Sequence, residues 1–350
     1  MRKVILLCIA ACLYYSGLVR LARWWHRQCG PRLVILNYHR VCDGDLRRHL
    51  LYLRHHYRIL HLEAALVELS SLVKGKMNAT QQKTLLALTF DDGYPDNYTH
   101  GFALASELQV PITIFLIPGY VQSGQRFWWR ESKWLVRHAR VDEVTLAGRV
   151  YHLGQAREQR ELARAIDARL RFAASVQERE AFLTTIRQTL SITEGDTEVD
   201  EWERSLTWEE ARTMDKSAWV SFGAHTMHHP ILAALADPRE VLSELEESRA
   251  ALEQELEHPI RAMAYPIGQM QYLGADTTRV VQQAGYDWAV TTIYGINTTE
   301  TDPYLLKRIE VASIQHWLLM AVETAGLWGL FARLRKVPFV QQHFTTTSWK

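Results

Sequence analysis

Short apolar runs recur along the chain, and most end in residues able to do chemistry. Residues 32–36 run into Asn37, Tyr38, His39 and Arg40, residues 85–90 into Asp91, Asp92 and Gly93, and residues 111–117 stop at Pro118 and Gly119. Residues 219–222 lead to Gly223, Ala224 and His225, residues 260–264 to Tyr265, Pro266, Ile267 and Gly268, and residues 287–290 to Thr291 and Thr292. Runs this short, apolar throughout, suit strands of a parallel sheet buried on both faces. Helical patterns lie between them. Asp237 and Pro238 supply a cap and a first-turn proline for a helix reaching about Glu257, with Val241, Leu245, Leu252 and Leu256 on its apolar side. A second helix, over 276–284, is stopped by Gly285. Strand and helix in alternation predict an α/β fold. A barrel of that class gathers its chemistry at the C-terminal ends of its strands, where these Asp and His residues fall.

Three segments break the pattern. Residues 126–205, charged and rich in Arg, Glu and Ala, read as a helical insertion within a barrel spanning 31–315, with an exposed acidic loop at 191–200. Its Trp128, Trp129 and Trp134 are read first as core residues and second as sugar-stacking surfaces. Residues 1–30 hold an apolar run, 4–18, preceded by Arg2 and Lys3 and followed by Arg20, Arg23, Trp24, Trp25 and Arg27. The run is shorter than the ~20 residues of a spanning helix and lacks a small-residue cleavage site. It is expected to tie the protein to a membrane surface, as a short anchor or an interfacial helix, with a buried core helix as the alternative. Basic residues on both flanks leave the orientation open. Residues 316–350 begin with an apolar helix, 317–334, suited to packing on the barrel or lying on a membrane.

Composition changes this picture little. The 350 residues, 47% apolar and 23% charged, describe a globular chain able to bury a large core. A formal net charge of +1, with no basic tract outside the N-terminal segment, argues against a nucleic-acid binder. The four cysteines include no CxxC, which argues against a cysteine zinc site. Cys29 and Cys42 flank the first strand and are read as free thiols, a disulfide between them being the alternative.

The candidate chemistry rests on two clusters. His225 and His229 are four residues apart, so on a helical turn both rings would face one way and could share a metal ion. His228 falls off that spacing. Asp91 and Asp92 close a buried strand, and two carboxylates there need a balancing charge. A cation held by one of them leaves the other ionised beside it, placed as a general base. An Asp-Gly turn would account for Asp92 and Gly93 but not for the second acid. One Asp and two His make a three-ligand set with a position left for water, the arrangement of catalytic zinc sites. There the ion lowers the pKa of its water from ~15.7 toward ~7. Metal-assisted hydrolysis of an acyl amide or ester is the reaction this set suits.

Taken in order, TFDDG at 89–93, HTMHH at 225–229 and AYPIG at 264–268 resemble the motifs of NodB-like polysaccharide deacetylases, the fourth carbohydrate esterase family. The resemblance spans about 32–311, the insertion matching least. It implies a distorted (β/α)7 barrel, Asp91 as the base, and Asp92, His225 and His229 as ligands of a divalent metal, usually zinc. It also implies an oxyanion contact from the backbone N–H of Ile267. Two departures stand out. Ala264 occupies the place where many members carry an arginine that steadies the base, and no late histidine motif follows residue 290, His316 lying in a helical pattern. Instead Asn37, Tyr38, His39, Arg40 and Val41 are similar to the Tyr-His segment of a permuted branch, typified by poly-N-acetylglucosamine deacetylases of biofilm systems. That implies His39 as the general acid, against a core histidine as the alternative. Arg308 is a candidate to orient Asp91 in place of the missing arginine. The expected substrate is an N-acetylated polysaccharide or a lipid-linked oligosaccharide precursor, handled at a bacterial inner membrane. The alternatives are a deformylase or O-acetyl esterase acting on a lipid-linked sugar, and a carbohydrate-binding relative without catalysis.

Overall fold

The computed structural model describes residues 2–41, 44–72, 83–193 and 199–327. Its ten strands are β1 (Leu33–Tyr38), β2 (Arg58–Ile59), β3 (Leu85–Phe90), β4 (Ile112–Leu116), β5 (Glu143–Leu146), β6 (Arg149–His152), β7 (Val220–Ala224), β8 (Ala262–Ala264), β9 (Trp288–Tyr294) and β10 (Leu306–Glu310). Seven of them close a parallel barrel in the order β1, β10, β9, β8, β7, β4, β3 and back to β1. β1 and β3 pair along their whole length, Leu33 opposite Leu85 and Tyr38 opposite Phe90. β2 covers only the start of β3, at Leu85 and Leu86, leaving Thr89 and Phe90 to pair with β4. This is the (β/α)7 barrel that the sequence motifs led one to expect.

Side chains one apart on a strand face opposite ways. Val34, Leu36, Leu86, Leu88 and Ile114 therefore pack outward with the surrounding helices. Leu33, Ile35, Leu85, Ala87, Phe115 and Ala264 form a second cluster with the helix Leu62–Leu72. That inner set is apolar along the strands, and the residues that follow them, Asp91, Asp92 and His225, are polar, so the chemistry gathers at one rim.

Two elements differ from the sequence reading. β10 was not anticipated as a strand, because Lys307 and Glu310 point to solvent while Arg308 is buried, which hides the apolar alternation. Residues 126–205 are not wholly helical. Helices Trp128–His138, Ala156–Arg171 and Val176–Thr189 are joined by the β5–β6 hairpin. Its turn places Ala147 and Gly148 at φ 52° and 78°, the left-handed pair that tight hairpins need. The four-residue strands bury little beyond Val144 and Tyr151, too short a pattern to show against their charged neighbours. These elements share a core of their own, including Phe127, Trp128, Leu135, Leu162, Ile166 and Leu183.

Residues 2–28 form two helices, Arg2–Tyr15 and Leu18–Gln28, bent 64° apart. Among the described residues no single helix is long and apolar enough to cross a membrane. Ala10, Leu13 and Val19 pack against Leu318, Val322 and Ala325 of the C-terminal segment, whose helix Trp317–Thr324 is followed by a turn at Ala325 and Gly326; the rest of the helix expected to residue 334 lies outside the described residues. Residues 328–350, Cys42 and residues 194–198 of the acidic loop lie outside the described residues, and with them the Cys29–Cys42 pairing.

Candidate metal centre

Asp91 and Asp92 follow β3, His225 follows β7, and the Tyr265–Gly268 turn follows β8, so the neighbours β7 and β8, and β3 one strand beyond across β4, deliver them to one rim. Oδ1 of Asp92 lies 3.6 Å from Nε2 of His225 and 3.7 Å from Nε2 of His229. One ligand atom from each of the three lies within 4.8 Å of the others, and all three residues are buried. The two histidines do not share a helical turn, as their spacing suggested. Residues 225–229 are a loop in which Thr226 and His229 adopt φ 63° and 56°. Those two kinks, rather than a helical repeat, bring the rings to 4.7 Å between centroids.

The supports of each ligand are visible. Nδ1 of His225 sits 2.7 Å from the carbonyl oxygen of Ala264. A carbonyl only accepts, so Nδ1 carries the proton and Nε2 presents its lone pair to the cluster. The His229 amide donates to Oγ1 of Thr226, its carbonyl accepts from Nε1 of Trp128, and its ring lies 4.4 Å from that of Trp129. Burial, the His225 ring and Arg179 hold the His229 imidazole well below its usual pKa, so it is neutral, as a ligand must be. Nδ1 of His229 is buried with no partner. His228 turns away onto Glu244, whose carboxylate accepts from both its amide and its ring, each at 2.7–2.8 Å.

The paired acids are driven apart. Burial pushes both carboxyls up. At Asp91 the Arg308 guanidinium and the His225 ring outweigh it and hold the acid down to about 2. Asp92, which Arg308 does not touch, stays above its usual range. Arg308 grips Asp91 with two parallel bonds of 2.7 Å, and its Nε and Nη1 donate to the Thr291 carbonyl and Oγ1 of Thr89. All of this is inside the barrel, with Arg308 only 1% exposed. Ala264, where the arginine was missed, gives its carbonyl to His225 instead.

His39 and Ile267 complete the rim. The His39 backbone carbonyl accepts from Nδ2 of Asn97, and its ring is close enough to act on the charges of Asp91, Asp92 and His229. Ile267 sits at φ 60°, and its carbonyl accepts from Oγ1 of Thr292, while its N–H has no partner among the described residues. Of the eight non-glycine residues at positive φ among the described residues, four (Asp92, Thr226, His229 and Ile267) belong to this centre. For β-branched Thr226 and Ile267 that conformation is strained. Trp128, Trp129 and Glu244 act on the ligand loop without having been assigned to it from sequence. Glu244 carried a signal, an acid at helical spacing between buried Val241 and Ser248.

The donor set, one carboxylate and two imidazoles buried together, fits a divalent ion of the zinc type. A sequence model of the polysaccharide deacetylase family matches residues 78–168 and 177–289. No curated protein matches the chain. Among solved structures, the Streptococcus pyogenes deacetylase PplD in complex with acetate is 18% identical, covers 84% of this chain and 99% of its own, and gives a TM-score of 0.54. IcaB from Ammonifex degensii is 18% identical over 85% of this chain and 98% of its own, with a TM-score of 0.52. A de-N-acetylase from Aggregatibacter actinomycetemcomitans is 13% identical over 83% and 99%, also at 0.52.

Proposed function

Since the chain belongs to the polysaccharide deacetylase family, we propose that it hydrolyses N-acetyl groups from an amino-sugar polymer, using zinc held by Asp92, His225 and His229. When bound, the ion supplies Lewis acidity toward the acetyl carbonyl and the attacking water. The chain's own groups do the rest. Asp91, ionised and fixed by Arg308, takes the proton of the attacking water. The N–H of Ile267 donates to the oxygen that gains negative charge. His39 gives a proton to the leaving nitrogen, so that acetate and a free amine result. Arg308 touches no substrate in this scheme and is a positioning residue.

The observation that carries this reading is the separation of the adjacent acids, one clamped by an arginine and the other turned onto two histidines. A site built only to bind sugar has no use for it. The test is amine and acetate release from an N-acetylglucosamine oligomer by the zinc-loaded chain beside Asp91→Asn. Release that falls about a thousandfold in the variant, with zinc stoichiometry unchanged, is expected. Acetate without amine would point to an ester substrate, and turnover undiminished by Asp91→Asn would overturn the assignment of the base.

A further inference from the structure

Large apolar side chains left in solvent are concentrated in one place. Nine of the seventeen exposed ones among the described residues lie between Val4 and Trp25. On the helix Leu18–Gln28 the helical repeat puts Leu18, Leu21, Trp24 and Trp25 on one outward face, with Arg20 and Arg27 along its margin. Val19, Ala22, Arg23 and His26 turn inward. On the helix Arg2–Tyr15, Val4, Ile5, Leu6 and Ile9 are exposed beside Lys3, Val4 at 63%. Apolar exposure concentrated in this way marks a docking site.

The charge around it selects the partner. No Asp or Glu occurs before residue 43, whereas Arg2, Lys3, Arg20, Arg23, Arg27 and Arg32 do; Arg40, paired with Asp96 beyond the far end of β1, is not part of this surface. Apolar face, interfacial tryptophans and unopposed cations together match an anionic lipid surface. We propose that the two helices dock the protein on an anionic bilayer, lying in the interface and not crossing it. Fourteen residues of helix reach about 21 Å, short of the ~30 Å hydrocarbon core. The inner sides of both helices are also held: Ala10, Leu13 and Val19 are buried on the C-terminal helix, and Tyr14 and Arg23 meet Tyr52. Unpacking them to span would expose that cluster. The attachment is therefore part of the folded body. Arg27 and Gly30 lie against Thr84 and Leu85 at the start of β3, at the opposite end of the strand from Asp91 and Asp92, so docking leaves the catalytic rim open.

The test uses the full chain with vesicles of phosphatidylcholine, with or without phosphatidylglycerol. The chain should sediment with the anionic vesicles at low salt and be released at high salt. Arg20→Gln and Arg27→Gln should each weaken binding about fivefold, and Trp24→Ser with Trp25→Ser should abolish it, the variants melting as the parent does. A readout without substitution comes from the exposed thiols of Cys8 and Cys12, which anionic vesicles should shield from a water-soluble maleimide. Absence of sedimentation with either vesicle would overturn the proposal. So would equal, salt-insensitive binding to both, resistance to an alkaline wash as a spanning helix shows, or a lipid-free dimer that shields Cys8.

Discussion

The metal centre and the first two helices break the ordinary rules of a globular protein in opposite directions. At the rim of the barrel, acids, imidazoles and an arginine are buried, four non-glycine residues take left-handed backbone, and an imidazole nitrogen is left without a partner. In the helices Arg2–Tyr15 and Leu18–Gln28 the backbone is regular and the anomaly lies in the side chains, with leucine, isoleucine and tryptophan turned to water. Buried charge costs free energy unless something balances it, and exposed apolar surface does so unless something covers it. Each region thus carries an unmet requirement, a cation in one and, on the docking proposed above, a lipid surface in the other. The two requirements are independent, because they sit at opposite ends of the strands.

The sharpest way to break this contrast is at Arg308. Replacing it with glutamine removes the two-point partner of Asp91 while the acid stays buried. Leaving one half of a buried pair behind is expected to destabilise the fold by about 3–5 kcal/mol, read by urea unfolding. Adding Asp91→Asn should recover part of the loss, since the orphaned charge is then gone. If Arg308→Gln unfolds with the parent, the buried pair is not what organises the rim. Arg308→Lys keeps the charge but loses the fork, and should fall between the two in both stability and turnover.

How much of this was legible beforehand follows from which interactions are local. The apolar runs before Asp91, His225 and Tyr265 announced the strands, because burial on both faces writes itself into consecutive residues. The ligands were legible from their types and order. Their geometry was not: His225 and His229 suggested a helical turn, whereas Thr226 and His229 reach the same convergence through left-handed kinks that no periodicity encodes. Arg308 could be named, but its strand could not, since Lys307, Arg308 and Glu310 read as polar until the barrel closes around one of them. The β5–β6 hairpin is held by distant apolar partners in the insertion core, so four-residue strands carried too little signal. In residues 2–28 the sequence told of apolar surface and cations, but only the helix Trp317–Thr324 decides which side is covered.

A smaller effect tests whether that covering helix is tuned to the same end. Glu323 is buried in it, and its carboxyl accepts from Nε2 of Gln315. Burial pushes it up to about 7 from the usual 4.5. The folded state therefore holds a proton that the unfolded chain has lost over this range. Its contribution is fully present below about pH 4.5 and disappears as pH rises through about 7. Glu323→Gln, neutral at every pH, should gain stability relative to the parent between pH 5 and 8, by up to about 3 kcal/mol, in melts at the two pH values. A gain equal at both would mean that the acid is not protonated in the native state.

The smallest expected effect divides one helix into its two sides. Val19 is 1% exposed and Trp25 61%, six residues apart on Leu18–Gln28. If this helix is structural toward the barrel and adhesive away from it, the larger side chain should matter less to folding. Val19→Ala removes two methyl groups from a closed cluster and should cost about 1–2 kcal/mol, lowering the melting temperature with or without lipid. Trp25→Ser removes an indole that is mostly in solvent, so its stability should stay within about 0.5 kcal/mol of the parent while its affinity for anionic vesicles drops. A stability loss at Trp25 as large as that at Val19 would mean that the outward face is covered in solution by the protein itself. The second copy would then replace the bilayer as its partner, and the two regions would no longer be unlike in kind.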